Sequence, residues 1–422
     1  MTQSHASVSS MTLDQQVAYL MQGTEYGDED LRRAMERELR ERLEESQRTG
    51  RPLRVYLGVD PRTSDLHLGH VVPMRKLRQF QELGHTAIFL IGSFTSLIGD
   101  PSDKEKARRL MSFDEVMANA KTYTDQAFRI LDPEKTVIDY NHRWLGELKF
   151  GDLIHLASHF TVQQFLARET FRKRYDKGDP IFLHEFFYPL MQGYDAVALK
   201  ADVQIGGTDQ MFNIIVAGRK LQEAHGQKPQ IGILLPLLPG TDGVRKMSKS
   251  LGNHIPLETT PEDMYGKLMS LPDQVMGTYM RLLTRWTPEE IARLEADLEA
   301  GRLHPRDLKM RIAREIVDML FGPEAARRAE EHFVRVFQKR DLPEEMPEYP
   351  YRPDQPLVDL LVDAGLVKSK SEARRMIEQR AVRFNGRVLE GFQTTLPGPG
   401  VLQVGKRRFL RLVASEKAPS AG

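Results

Sequence analysis

Two histidines, His67 and His70, stand three residues apart in the stretch HLGH, and two lysines, Lys246 and Lys249, bracket small residues in KMSKS. Both pairs suit the same chemistry. Imidazole and ammonium groups are donors to phosphate oxygens, and a lysine also offsets the charge that develops on a departing pyrophosphate. Such a reaction needs alignment and charge stabilisation rather than a nucleophilic serine or cysteine. Gly69, between the histidines, lets a flat ring approach the backbone closely. Gly240 and Gly243 lie just before the lysines, on a loop free to close over a triphosphate.

The histidines need an element to hold them. Residues 55–59 form an apolar run of strand length with two β-branched members, and the segment Asp60-Pro61-Arg62-Thr63-Ser64-Asp65 breaks it with turn residues. The run 67–81 is spaced like a helix, which places both histidines at a helix start. Free backbone amides and the helix dipole there favour an anionic ligand. A second buried strand at 86–91, after Gly84 at the helix end, completes a β-α-β crossover. Further strands are expected at 136–140, at a strand end near 204–207 and at 231–237, with helices over 104–131, 151–170, 184–200 and 210–224. The pattern is that of an α/β protein with a doubly wound parallel sheet, which binds ligands where a strand gives way to a helix. The lysine loop follows the last of these strands.

At 422 residues the chain can hold two or three domains. Lys plus Arg is 60 against 59 for Asp plus Glu, so net charge excludes nothing; its distribution is informative. Residues 366–422 carry twelve Lys/Arg and four Asp/Glu, a surplus of eight, while the rest of the chain is net −7. A basic appendage on a slightly acidic body points to a polyanionic partner. With no cysteine there is no disulfide, thiolate metal site or cysteine nucleophile. The first residues lack a basic and then apolar signal pattern, and the most apolar run, 231–239, is too short to span a bilayer. The expectation is a soluble cytoplasmic protein without a membrane partner.

The domain order expected is an N-terminal arm (1–50), a catalytic domain (51–258), an α-helical domain (259–340), a linker (341–356), a small C-terminal domain (357–415) and a disordered tail (416–422). The arm contains an amphipathic helix over 31–43, and the linker has five prolines and no glycine.

HLGH and KMSKS together resemble the two signatures of class I aminoacyl-tRNA synthetases, whose fold is of the Rossmann type. The stretches YLGVDP (56–61), LIGDP (97–101), YPLMQGYD (188–195) and GGTDQ (206–210) narrow the resemblance to the bacterial tyrosyl-tRNA synthetases. The implied activity is a tyrosine–tRNA ligase: L-tyrosine and ATP give tyrosyl-adenylate and pyrophosphate, and the tyrosyl group passes to the terminal adenosine of tRNA(Tyr). The resemblance implies that His67, His70, Lys246 and Lys249 are catalytic. Gly58, Asp60, Gly69, Gly207, Asp209 and Ser248 would surround ATP and the adenylate. Tyr56 and Asp195 can answer the donor and acceptor of a phenol; Asp100, Tyr188 and Gln192 would hold the α-ammonium group, with Gln210 near the activated carbonyl. Magnesium would accompany ATP, and no carboxylate cluster marks a protein metal site.

Residues 357–413 resemble the small αL RNA-binding module, carried by Ser369, Ser371, Glu372, Ala373, Arg374, Arg375, Ile377, Val382, Asn385 and Gly386. Lys368, Lys370, Arg374, Arg375, Arg380 and Arg383 are expected to meet RNA phosphates. The family also implies a homodimer with one tRNA spanning both subunits. Two other readings stand beside this one. A tryptophanyl-tRNA synthetase shares both signatures, although Tyr56, Asp195 and the αL module argue against it. An RNA-binding or splicing helper could use the same scaffold. One position departs from the family: Arg62 stands where threonine is usual, with Thr63 next to it.

Overall fold

The computed structural model describes residues 10–62, 66–101, 111–340, 346–385, 387–389, 391, 392, 394–405 and 408–414. Thr63, most of the expected helical stretch before Phe113 and the tail 416–422 lie outside the described residues. The chain forms two compact units, Met1–Glu330 and Glu331–Gly422.

The first unit is built on five parallel strands: β1 (Arg54–Val59), β2 (Thr86–Ile91), β3 (Thr136–Tyr140), β4 (Val203–Gly207) and β5 (Ile231–Leu235). Their order is β3-β2-β1-β4-β5. The strands are rich in aliphatic residues because helices cover both faces of the sheet; Val55, Phe89 and Val203 on the inner strands and Ile231 and Ile233 on the edge strand β5 are fully buried. From β1 the chain first winds out to β2 and β3, and later returns to β4 on the other side. The strand order therefore reverses at the carboxyl ends of β1 and β4, which leaves a crevice there.

Helix α1 (Leu13–Met21) and helix α2 (Glu29–Thr49) make up the arm. Met35, Leu39 and Leu43, four apart, are buried, each contributing about 1.5–3 kcal/mol by leaving water. Arg42 and Arg51 both pair with Asp202 at the start of β4, which fixes α2 to the sheet. Helix α3 (Leu68–Glu82) follows β1 and carries both signature histidines. Its buried Lys76 donates from Nζ to the carbonyls of Leu20 and Gln22, satisfying the end of α1. Burial drives the Lys76 ammonium well below its ordinary range.

Beyond 259 the expected helices appear as Pro261–Met269, Met276–Leu283, Pro288–Glu299 and Pro305–Phe321. Three of them open with proline at the first position behind a capping Thr260, Thr287 or His304. They belong to the same compact unit as the sheet.

In the second unit the strands are β6 (Glu348–Tyr351), β7 (Val382–Phe384), β8 (Arg387–Val388), β9 (Gly400–Val404) and β10 (Arg408–Ala414), in the order β6-β10-β9-β7-β8. Helices Leu357–Asp363 and Lys370–Glu378 pack on them through Leu357, Leu361, Ala373 and Ile377. The linker expected over 341–356 needs correcting. Its residues 348–351 pair in parallel with β10, so they are part of this domain. Pro350 is tolerated because β6 is an edge strand, where a missing N–H costs no inner ladder bond.

Candidate active site

A cavity of about 430 Å³ opens in the crevice at the ends of β1 and β4. Its wall includes Tyr56, Gly58, Asp60, His67, Gly69, His70, Asp100, Tyr188, Gln192, Asp195, Gly207, Asp209, Gln210, Lys246 and Ser248. Residues from six separate stretches of sequence thus meet around one space. Lys249 is the exception. It begins the short 3-10 turn Lys249–Leu251, is exposed, and does not line the cavity.

The two signatures are 180 residues apart in sequence, and backbone pairing joins them. Leu68 N–H donates to the Ile255 carbonyl at 3.0 Å, and Leu257 N–H donates to the Leu66 carbonyl at 2.9 Å. The lysine loop is thereby tied at its far end to the start of α3. Within the loop, buried Asn253 acts as a hub. Its Oδ1 accepts from Ser248 N–H, and its Nδ2 donates to Asp242 Oδ2 and the Lys246 carbonyl. Met247 N–H donates to the Leu238 carbonyl, and the Met247 side chain is buried.

At the histidine end the structure corrects an expectation. The first amides of α3 are not open to an anion. The Gly69 N–H donates to His67 Nδ1, the His67 N–H donates to His70 Nδ1, and the Leu68 and His70 N–H groups have carbonyl partners. Histidine can cap a helix with its unprotonated nitrogen, so the amides are already used. Burial lowers His67 to about 3 and His70 to about 4, so both are neutral at pH 7. With each Nδ1 accepting a hydrogen bond, the single proton of each ring sits on Nε2. The two rings, 4.1 Å apart between centroids, thus offer Nε2–H donors in place of the backbone amides. Gly69 is needed for this cap, because a Cβ there would come within 2.9 Å of the His67 ring.

The opposite end is the polar floor. Tyr56 is fully buried, and its hydroxyl has no hydrogen-bond partner. Asp195, beside it, accepts from Trp144 Nε1 at 2.7 Å and Asn141 Nδ2 at 3.2 Å. Burial raises the Asp195 carboxyl to about 8, and raises the Tyr56 phenol well above its usual range. Between the two ends, Asp60 accepts from Thr95 Oγ1 at 2.8 Å and from the Tyr188 hydroxyl at 2.9 Å. Burial lifts Asp60 to about 6. Gln210 Nε2 donates to Asp100 Oδ2 at 2.5 Å. Asp60, expected beside the adenylate, therefore lies against Tyr188, one of the residues expected at the ammonium group. Gly58 faces open space, its nearest neighbour to an added Cβ being the Tyr56 ring at 3.9 Å, whereas a Cβ at Gly207 would strike Asp209.

Such a cavity can hold an elongated substrate with a hydroxyl at one end, a cation near its middle and phosphates at the other. Comparison with known proteins supplies the family. Residues 47–338 match the model for tRNA synthetases class I (W and Y), and residues 339–398 match that of a tyrosine–tRNA ligase SYY-like C-terminal domain. The tyrosine–tRNA ligase of Moorella thermoacetica is 53% identical over 380 residues, covering 89% of this chain and 92% of that one. The tyrosine–tRNA ligase of Thermotoga maritima is 50% identical over 378 residues, 89% of this chain and 94% of its own. The chain belongs to the tyrosine–tRNA ligases.

Among solved structures, the tyrosyl-tRNA synthetase of Archaeoglobus fulgidus in complex with L-tyrosine superposes on this ligase with a TM-score of 0.57 at 22% identity, over 76% of this chain and 100% of that one. Tryptophanyl-tRNA synthetase of Plasmodium falciparum reaches 0.51 at 14% identity, over 69% and 81% of the two chains. The fold is thus shared by both kinds of synthetase, and it is the sequence relatives that place this ligase with the tyrosine enzymes.

Sequence reasoning missed Thr95, Asn141 and Trp144, which are hydrogen-bonded to the cavity residues Asp60 and Asp195 of the ligase. The last two follow β3 directly, at the carboxyl end of a strand, where the rule that flagged the end of β1 applies equally. Arg62 donates to the Ser96 carbonyl, and its charge acts to lower Asp60. It therefore braces the loop after β2 beside Asp60. In the C-terminal unit Lys368, Lys370, Arg374, Arg375, Arg380 and Arg383 are all exposed, on and around helix Lys370–Glu378 and β7. Lys370 is paired with Asp359 at 2.6 Å, so its charge is partly compensated.

Proposed function

We propose that this cavity joins the carboxylate of L-tyrosine to the α-phosphorus of ATP, and that the tyrosyl group then passes to the terminal adenosine of tRNA(Tyr). The observation that carries the assignment of the floor is the partnerless hydroxyl of Tyr56 beside Asp195. A buried polar group without a partner costs about 1–3 kcal/mol, and it is retained where a ligand will complete it. The substrate phenol would donate to Asp195 and accept from Tyr56. Trp144 and Asn141 hold the Asp195 carboxyl group in place for this.

The α-ammonium group would lie among Asp60, Asp100, Tyr188 and Gln192, where clustered acceptors favour a cation. Gln210 would face the activated carbonyl. The open face of Gly58 and the stretch 207–209 would take the adenosine. Neutral His67 and His70 would donate from Nε2 to the ATP phosphates, and Lys246 would offset the charge that builds on pyrophosphate. Lys249 would join them when the loop closes. Among the described residues no group of three His, Cys, Asp or Glu side chains could hold a metal ion. Magnesium would accompany the phosphates of ATP.

Tyr56→Phe tests this reading on two axes. Removing the orphan hydroxyl should raise thermal stability, since a buried group with no partner is lost. It should also lower the preference for tyrosine over phenylalanine in pyrophosphate exchange about tenfold, the worth of one hydrogen bond. Unchanged preference would assign the phenol elsewhere.

The ligase would act as a homodimer in the cytoplasm. Phe150, Ile154, Val162, Tyr175 and Leu183 are 78%, 57%, 61%, 65% and 71% exposed, all within the helical stretch 150–186. So much apolar surface in one segment suits a second copy of the chain. Sedimentation should give twice the 48.3 kDa of the chain, and Leu183→Asp should shift it to the single-chain mass. A wild-type protein that sediments as one chain at micromolar concentration would remove the dimer.

A further inference from the structure

Just after Gln210 the chain does not run on as an ordinary α-helix: Phe212–Gly218 is a π-helix. Such turns are rare and frequent at functional sites. Here the turn carries Asn213, which is 0% exposed and lines no part of the cavity. It stands behind the wall. Its Nδ2 donates to Gln192 Oε1 at 2.9 Å and to Gln210 Oε1 at 3.1 Å. One amide nitrogen carries two protons, and both are spent on these two carbonyls. The π-helix reaches Gln192 because Gly193 lets its helix approach: a Cβ at Gly193 would lie 3.1 Å from the Ala217 carbonyl carbon.

A glutamine amide has a donor end and an acceptor end of nearly the same shape, and packing alone does not choose between them. The choice matters at this site. With its Oε1 on Asn213, Gln210 turns Nε2 toward Asp100 and the cavity it lines. Gln192, held in the same way, keeps one carbonyl lone pair for a donor such as an ammonium group.

We propose that Asn213 is a positioning residue for tyrosine activation, fixing which end of the Gln192 and Gln210 amides faces the substrate. This rests on the assignment of the cavity to tyrosine and ATP. Asn213 itself touches neither substrate.

Asn213→Asp keeps the shape but leaves only acceptors, so both glutamines must reverse. Tyrosine kcat/KM in pyrophosphate exchange should fall about 100-fold, the scale set by a small misplacement of reacting groups. The KM for ATP should change less than about twofold. Asn213→Ser retains one donor and should lose less; it also carries the test if the aspartate variant folds poorly, as judged by thermal melting. The deciding measurement repeats both substitutions in a Gln192→Ala/Gln210→Ala background, with tyrosine affinity from equilibrium dialysis alongside exchange. There they should cost nothing further, because the groups they act through are gone. Equal losses in the two backgrounds, no loss in either, or equal rises in both KM values would overturn the proposal. Tyrosine-dependent exchange by the wild-type enzyme tests the assignment of the cavity separately.

Discussion

Alanine at Lys246 should slow tyrosyl-adenylate formation by about 10²–10³-fold, the usual cost of removing one preorganised donor to a developing charge. Tyrosine affinity should change less than about threefold, because the groups proposed to hold the phenol and the ammonium group of tyrosine do not include the lysine. Lys249→Ala should behave in the same way, but for a different geometric reason. Lys246 already lines the cavity, whereas Lys249 sits on an exposed turn and, in our proposal, joins only when the loop closes. Asn253 and the 255–257 pairing with residues 66–68 anchor its base, while the Gly243 turn, at φ +72, and Val244, 78% exposed, form its tip. Rapid-quench measurement of adenylate formation separates the terms. Equal loss of rate and of tyrosine binding in either variant would argue that the lysine holds the ground state rather than the transition state.

Removing residues 346–422 should leave pyrophosphate exchange within about twofold of the full chain and abolish tRNA charging. The cut belongs before β6 rather than at 357, because a cut at 357 would leave the strand Glu348–Tyr351 without β10. The cavity draws every wall residue from the first unit, which is why exchange should survive. The cut would remove the six exposed basic residues around helix Lys370–Glu378, which we propose as phosphate contacts. Their contribution should also appear as salt dependence: charging by the full chain should weaken steeply as salt rises, as counterion release requires. Unchanged charging by the truncated chain would deny the C-terminal unit its role.

Much of this was legible in the residues. The strands at 54–59 and 86–91 occur at the bounds their apolar runs and turn breakers indicate, since a strand buried on both faces leaves that plain mark, and the edge strand at 136–140 keeps its bounds as well. The meeting of HLGH and KMSKS followed from the resemblance, but its cause, a backbone pairing of residues 255–257 with 66–68, did not, because three residues carry no pattern of their own. Composition shows that histidine is present at a helix start; it does not show that the ring will spend the amides it was expected to leave open. The proline-rich 341–356 read as a linker because proline usually excludes a strand, and only the edge position of β6 makes Pro350 acceptable. The π-helix at Phe212–Gly218 escaped notice for a related reason: its hydrophobic spacing resembles that of an ordinary helix. Asn141 and Trp144 act through Asp195, more than fifty residues away in sequence, and no spacing rule joins them.

The central claim is that this cavity selects tyrosine for activation by ATP. ATP–pyrophosphate exchange measured with each of the twenty amino acids tests it most directly. Tyrosine alone should support rapid exchange. Phenylalanine should trail by orders of magnitude, as is established for this enzyme family, because it leaves Tyr56 unpaired and gives Asp195 no phenol to accept from. Tryptophan should give no more than the background without amino acid. Exchange supported equally by tryptophan, or proceeding with no amino acid at all, would contradict the account.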